Sequence, residues 1–156
     1  MTHILVRAFR LPRRDGLMAV EALWALALAR LLLLILPFPT AMAWLGLQMG
    51  SAMAVEGNAA MWEIRNDVKT AVRRASRVAP FRAVCLQQAV AASVLLRRRG
   101  LASEIHFGVA RPDRSSGQPG DSLTAHAWTT CAGETVTGGA NKEGFVPIAI
   151  FVPRRI

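Results

Sequence analysis

The stretch LMAVEALWALALARLLLLILP, Leu17 to Pro37, constrains this chain more than any other. It is apolar around its circumference and approaches the roughly 20 residues with which a helix crosses a bilayer. Glu21 and Arg30 interrupt it, and each costs on the order of 3 kcal/mol at the centre of a lipid-facing helix. The uninterrupted apolar part is then only Leu31 to Leu36. A signal peptide is the competing reading, since basic residues precede the run and AMA at Ala41 to Ala43 has the form of a cleavage site. The long basic leader and Arg30 argue against it. The reading adopted is a helix buried on most sides within a helical subdomain, without stable membrane insertion.

Pro37 and Pro39 end that helix, because proline lacks the amide hydrogen and restricts the residue before it. The methionine-rich AMAWLGLQMGSAMAV that follows reads as helix-on-helix core. From Asn58, an N-cap candidate, Met61, Ile64, Val68, Ala71, Val72, Ala75 and Val78 recur at three- and four-residue spacing. The spacing predicts an amphipathic helix whose arginines lie off its apolar stripe.

At 156 residues the chain reads as a single domain, 1–156, with a helical N-terminal part (1–79) and a chemistry-bearing part (80–156). The formal net charge is +9 and only Lys69 and Lys142 are lysines, so the excess is arginine. Nucleic acid, anionic lipid and acidic peptide all offer partners to guanidinium groups. Scattered arginine clusters, the absence of tyrosine and the lack of zinc-finger or RNP-type motifs argue against nucleic acid. The two cysteines, Cys85 and Cys131, lie 46 positions apart with no CxxC spacing, which suits a reducing cytoplasm.

PFRAVCLQQAVAASVLLRRRGL opens on Pro80 and stops at Arg97, Arg98, Arg99 and Gly100, a favourable helix end. Cys85 therefore falls at the start of a helix, where unpaired amides and the dipole favour a thiolate. SEIHFGVA alternates as a half-buried strand, with His106 facing away from the apolar side. Residues 111–122 read as an exposed loop, a lid candidate or a plain connector.

LTAHAWTTCAGETVTGG reads as a hairpin turning at Ala132 and Gly133, with His126 on its first strand and Trp128 packed beside it on the same face. Pairing Cys131 with Glu134 sets Gly139 opposite His126 and makes Thr137 and Asn141 its diagonal neighbours. GFVPIAIFVP supplies a last strand. The fold class is α+β: a helical part packed on a papain-like or transglutaminase-like core with a small antiparallel sheet.

The residues CL at Cys85, LLRRRGL at the end of that helix and AHAW about 40 residues after the cysteine together resemble the leader peptidases of lasso-peptide biosynthesis, a transglutaminase-like family. LPRRDGLMAVEALWALALARLLLLILP is similar to that family's helical part, so the resemblance covers most of the chain. It implies a cysteine peptidase that frees a core peptide from its leader, with Cys85 as nucleophile, His126 as general base and no cofactor or metal. The implied partners are the precursor peptide, a separate leader-binding protein and the macrocyclising synthetase. The first of these partner proteins is expected because too few residues precede the apolar helix for a fused recognition domain.

The family often carries an aspartate about twelve residues after the histidine, where this chain has Gly138. Asn141 is the leading alternative for orienting His126, with Thr137, Asp113 and Asp121 behind it. The Cys85 amide supplies one oxyanion donor. Cys131 reads as structural, although a Cys85–Cys131 disulfide in an exported protein would abolish the mechanism. The run Arg97 to Arg99 reads as a solvated helix end. Two other functions compete: a non-catalytic membrane-associated interaction protein, and acyl transfer to an amine through the same thiol.

Overall fold

The computed structural model describes residues 13–51, 57–110, 124–139 and 143–154, with the backbone alone for 13–15. The described residues form four helices, α1 (Arg13–Ile35), α2 (Phe38–Trp44), α3 (Ala59–Val78) and α4 (Cys85–Arg98). They also form five strands, β1 (Leu47–Met49), β2 (Glu104–Ala110), β3 (Thr124–Cys131), β4 (Glu134–Thr137) and β5 (Val146–Pro153). The strands make one sheet in the order β1-β5-β2-β3-β4, antiparallel at every pairing. This is the α+β arrangement expected of the chain.

Local chemistry sets the helix limits. Asn58 caps α3, its Oδ1 accepting from the Met61 amide at 2.9 Å. Pro37 and Pro39 do more than end α1: they stand at the start of α2, where a missing amide hydrogen costs nothing. The Met-rich stretch expected to be helical core is so through Trp44, with Ala41 and Met42 buried in α2, but then turns at Gly46 and supplies β1, an edge strand paired with β5; its residues 52–55 lie outside the described residues. Its apolar residues carry no alternation, so nothing in their order marks a strand.

The long apolar helix departs most from expectation. Among the described side chains of α1 only a narrow stripe, Ala22, Leu26 and Ala29, is fully buried. Ala22 and Leu26 meet Val68, Ala71, Val72 and Ala75 of α3 in one core cluster, while Ala29 packs with Met42 and Ala89. The opposite stripe is open, with Leu17 and Trp24 73% exposed and Leu34 70%. Helix α1 is also long and apolar enough to cross a membrane. The two charges within its apolar run, Glu21 and Arg30, are committed to the protein body. The Glu21 carboxylate accepts from Arg99 Nη2 at 2.7 Å and pairs with Arg98 Nε at 3.1 Å, and the Arg30 guanidinium lies 5.1 Å from the Phe81 ring centroid. The arginine run ending α4, expected as a solvated helix end, is so only at Arg98, which stays 67% exposed while pairing with Glu21; Arg99 is tied to α1 and Arg97 Nη1 donates to the Gly46 carbonyl at 3.3 Å.

All four helices contribute to the buried side of the sheet. A first cluster joins α1, α3 and the C-terminal half of α4 to Cys131 and Val136. A second joins α2, β1 and the N-terminal half of α4 to Ile105, Ala127 and Phe151. Pro147 pairs with Gly108 beside a register shift between Phe107 and Gly108, at the end of β5 away from its pairing with β1.

Candidate active site

Cys85 is the first residue of α4, following the N-cap Val84. The chain before it is tied down. Gln87 Oε1 accepts from the Val84 amide at 3.2 Å, and Gln88 Nε2 donates to the Ala83 carbonyl at 2.8 Å. Neither bond uses the amides of Cys85 or Leu86, which as first-turn donors have no acceptor within the helix. The Cys85 thiol is half-buried and free. Unpaired amides at its back and partial access in front are what a nucleophilic thiol needs.

Strand β3 lies against this helix. Ala127, Thr129 and Cys131 are buried on the helical side, and the Thr129 hydroxyl donates to the Ala89 carbonyl of α4 at 2.9 Å. Ala89 lies one turn after Cys85, and Thr129 three residues after His126. The N-terminal half of α4, Cys85 included, packs into the cluster that holds Ala127, while its C-terminal half packs toward Cys131. Cys85 and His126 therefore come to the same end of the sheet. Among the described residues no hydrogen bond joins the Cys85 thiol to the His126 ring.

His126 shares the other face of β3 with Trp128 and Thr130. Its ring stacks beside Trp128 with centroids 6.0 Å apart and planes 22° apart, as expected, and is flanked by Phe145 at 5.1 Å. On the far side of Trp128 lies His106, its ring 5.3 Å away and nearly parallel, with Nε2 2.8 Å from Thr130 Oγ1. Trp128 is thus held between two histidines and lies over Gly108, where a Cβ would come within 2.8 Å of the indole. His106 was legible as a residue facing away from the apolar side, but not as part of this aromatic row. The cross-strand pairing of His106 with Trp128 creates it.

The hairpin turns at Ala132 and Gly133, both with positive φ, and Cys131 pairs with Glu134 as expected. The register then shifts between Thr129 and Thr130, so that Thr137 pairs with Thr129 and the ladder ends there. The expected pairing of Gly139 with His126 does not form. Thr137 is withdrawn with its partner Thr129, and its hydroxyl is buried without a hydrogen-bond partner. Gly138 takes the position instead: its carbonyl oxygen lies 2.8 Å from His126 Nε2. Asn141, Asp113 and Asp121, and the loop 111–122, lie outside the described residues.

Cys131 is buried, free and far from nucleophilic. Burial pushes its thiol up from the ordinary value, opposed in part by the Arg65 guanidinium, whose Nη1 donates to the Cys131 carbonyl at 3.0 Å. The Cys85–Cys131 disulfide is not formed.

Comparison with known proteins bears on this geometry. A family model described as Transglutaminase-like superfamily matches residues 32–150, from the end of the apolar helix to the last strand. No curated protein and no solved structure matches the chain.

Proposed function

The chain belongs to the transglutaminase-like superfamily, which includes cysteine proteases and acyltransferases, and on that premise we propose that it is a cysteine peptidase with Cys85 as nucleophile and His126 as general base. The observation that carries the reading is the free Cys85 thiol on the first turn of α4, which Thr129 bonds to the strand bearing His126. His126 takes the thiol proton as the sulfur attacks the scissile carbonyl. The imidazolium returns that proton to the departing amine, leaving a thioester on Cys85. Water, deprotonated by the same ring, hydrolyses the thioester and restores the thiol. The Cys85 amide is one donor to the oxyanion.

The substrate in this reading is a ribosomally made lasso-peptide precursor, cut between leader and core in the cytoplasm. It is supported by the combination of CL, LLRRRGL and AHAW. A separate leader-binding protein and the macrocyclising synthetase complete the proposal, and the open apolar stripe of α1 supports a partner of the first kind. The test mixes purified protein with precursor and leader-binding protein and follows peptide mass. Wild type cuts and Cys85→Ala does not, with circular dichroism unchanged. Equal cleavage by both, or none with any partner present, removes the peptidase reading. An amine acceptor added to the same mixture separates acyl transfer from hydrolysis.

The same stripe favours one other reading, a non-catalytic protein held at a membrane through α1. Retention in the membrane fraction at high salt, together with full biological activity of Cys85→Ala, would select it.

A further inference from the structure

We infer that the main-chain carbonyl of Gly138 is the group that orients the His126 imidazole; the inference rests on the proposed role of His126 as base. A carbonyl oxygen can only accept, so at 2.8 Å from it His126 Nε2 carries the hydrogen. The neutral ring is then the tautomer whose Nδ1 lone pair is bare, and Nδ1 is the nitrogen left to take a thiol proton. Trp128 and Phe145 pack against the ring, so its rotation is restricted by contact as well as by the hydrogen bond.

The same turn explains why position 138 carries no carboxylate. Gly138 has φ +72°, and a Cβ there would stand 2.7 Å from the Ala127 carbonyl oxygen and 2.8 Å from Trp128 Cβ. Both obstacles are fixed parts of β3, one backbone and one the root of a buried side chain. Aspartate cannot occupy the position without moving the turn off the strand. The register shift at Thr129 and Thr130 takes Thr137 out of reach, and left-handed Gly138 then folds its own carbonyl toward the ring. A neutral acceptor holds a donor less strongly than a carboxylate does, so the packing of the two aromatic rings is a necessary part of the device.

The test reads the tautomer directly. Long-range proton–nitrogen correlation spectra of the full-length 15N-labelled protein, with His126→Gln to assign the ring, report which nitrogen is protonated above the titration of the imidazole. Hydrogen on Nε2 alone is the expected result. Hydrogen on Nδ1, or a mixture of both tautomers, overturns the inference. Gly138→Ala, which displaces the carbonyl, is expected to convert the single tautomer to a mixture; an unchanged spectrum in a folded variant overturns it as well. If that variant does not fold, the wild-type spectrum decides by itself. The spectra need no substrate, so cleavage that survives Cys85→Ala would sink the peptidase reading and leave the tautomer result standing, and the reverse holds equally.

Discussion

Thr129 gives the sharpest quantitative test of how the site is held together. Its side chain is fully buried, and its hydroxyl reaches the Ala89 carbonyl at 2.9 Å across the interface between α4 and β3. The perturbation is a series of three substitutions. Thr129→Val keeps the shape and removes the hydroxyl. The Ala89 carbonyl keeps its place in the helix ladder, so the loss is that of one ordinary hydrogen bond, about 1 kcal/mol. Thr129→Ser keeps the hydroxyl and deletes a buried methyl, again about 1 kcal/mol. Thr129→Ala loses both and leaves a small cavity, for about 2 kcal/mol or slightly more. At this chain length each 1 kcal/mol lowers Tm by roughly 2–4 °C. Urea unfolding followed by circular dichroism gives the three values, and the slope should be the same in all. The valine variant should also lower cleavage more than the serine variant does, because the hydroxyl ties the Cys85 helix to the His126 strand. A valine variant as stable and as active as wild type, beside a damaged serine variant, would show that packing alone holds the interface and would refute the reasoning.

Three smaller predictions follow from other contacts. Glu21→Gln breaks the tie from α1 to Arg98 and Arg99, and with Glu21 and Arg99 each 22% exposed the loss is about 1 kcal/mol, shrinking in 0.5 M salt; chemical unfolding at two salt concentrations checks it. Ala132 holds φ +51° in the hairpin turn, so Ala132→Asn should raise stability by about 0.5–1 kcal/mol, and a lower Tm would contradict the turn assignment. Folded Cys131 keeps its proton to higher pH than the unfolded thiol, whose ordinary value is about 8.5. Its contribution is therefore complete below that value and declines as pH rises through it. The chain has no tyrosine to confuse the alkaline range, so unfolding between pH 8 and 10 should show the decline in wild type and a flatter profile in Cys131→Ala.

Much of the site's framework was readable because it depends on local chemistry. Asn58, the Arg-Gly ending of the Cys85 helix, and the turn at Ala132 and Gly133 each act within a few residues, and the structure uses each as the order of residues implies. The alternation that set Trp128 beside His126 is equally local. What was not readable depends on pairing at a distance. A one-residue register shift at Thr129 and Thr130 took Thr137, one of the two expected diagonal neighbours of His126, out of reach and brought the Gly138 carbonyl to the ring, while Asn141, the leading expectation, lies outside the described residues. A main-chain acceptor leaves no residue type in the sequence to notice. Helix α1 failed for another reason: residues apolar on every side give no sign of which face the rest of the fold covers, and here it covers Ala22, Leu26 and Ala29 and leaves Leu17 and Trp24 open.

The central claim is covalent, and so is its most direct test. The protein is mixed with precursor peptide and leader-binding protein, quenched in acid during turnover and weighed intact, then digested to find the site of any adduct. The account predicts a hydroxylamine-labile acyl adduct of the leader on Cys85, none on buried Cys131, and no adduct or cleavage in Cys85→Ala. Cleavage that proceeds without an adduct and survives Cys85→Ala would contradict it.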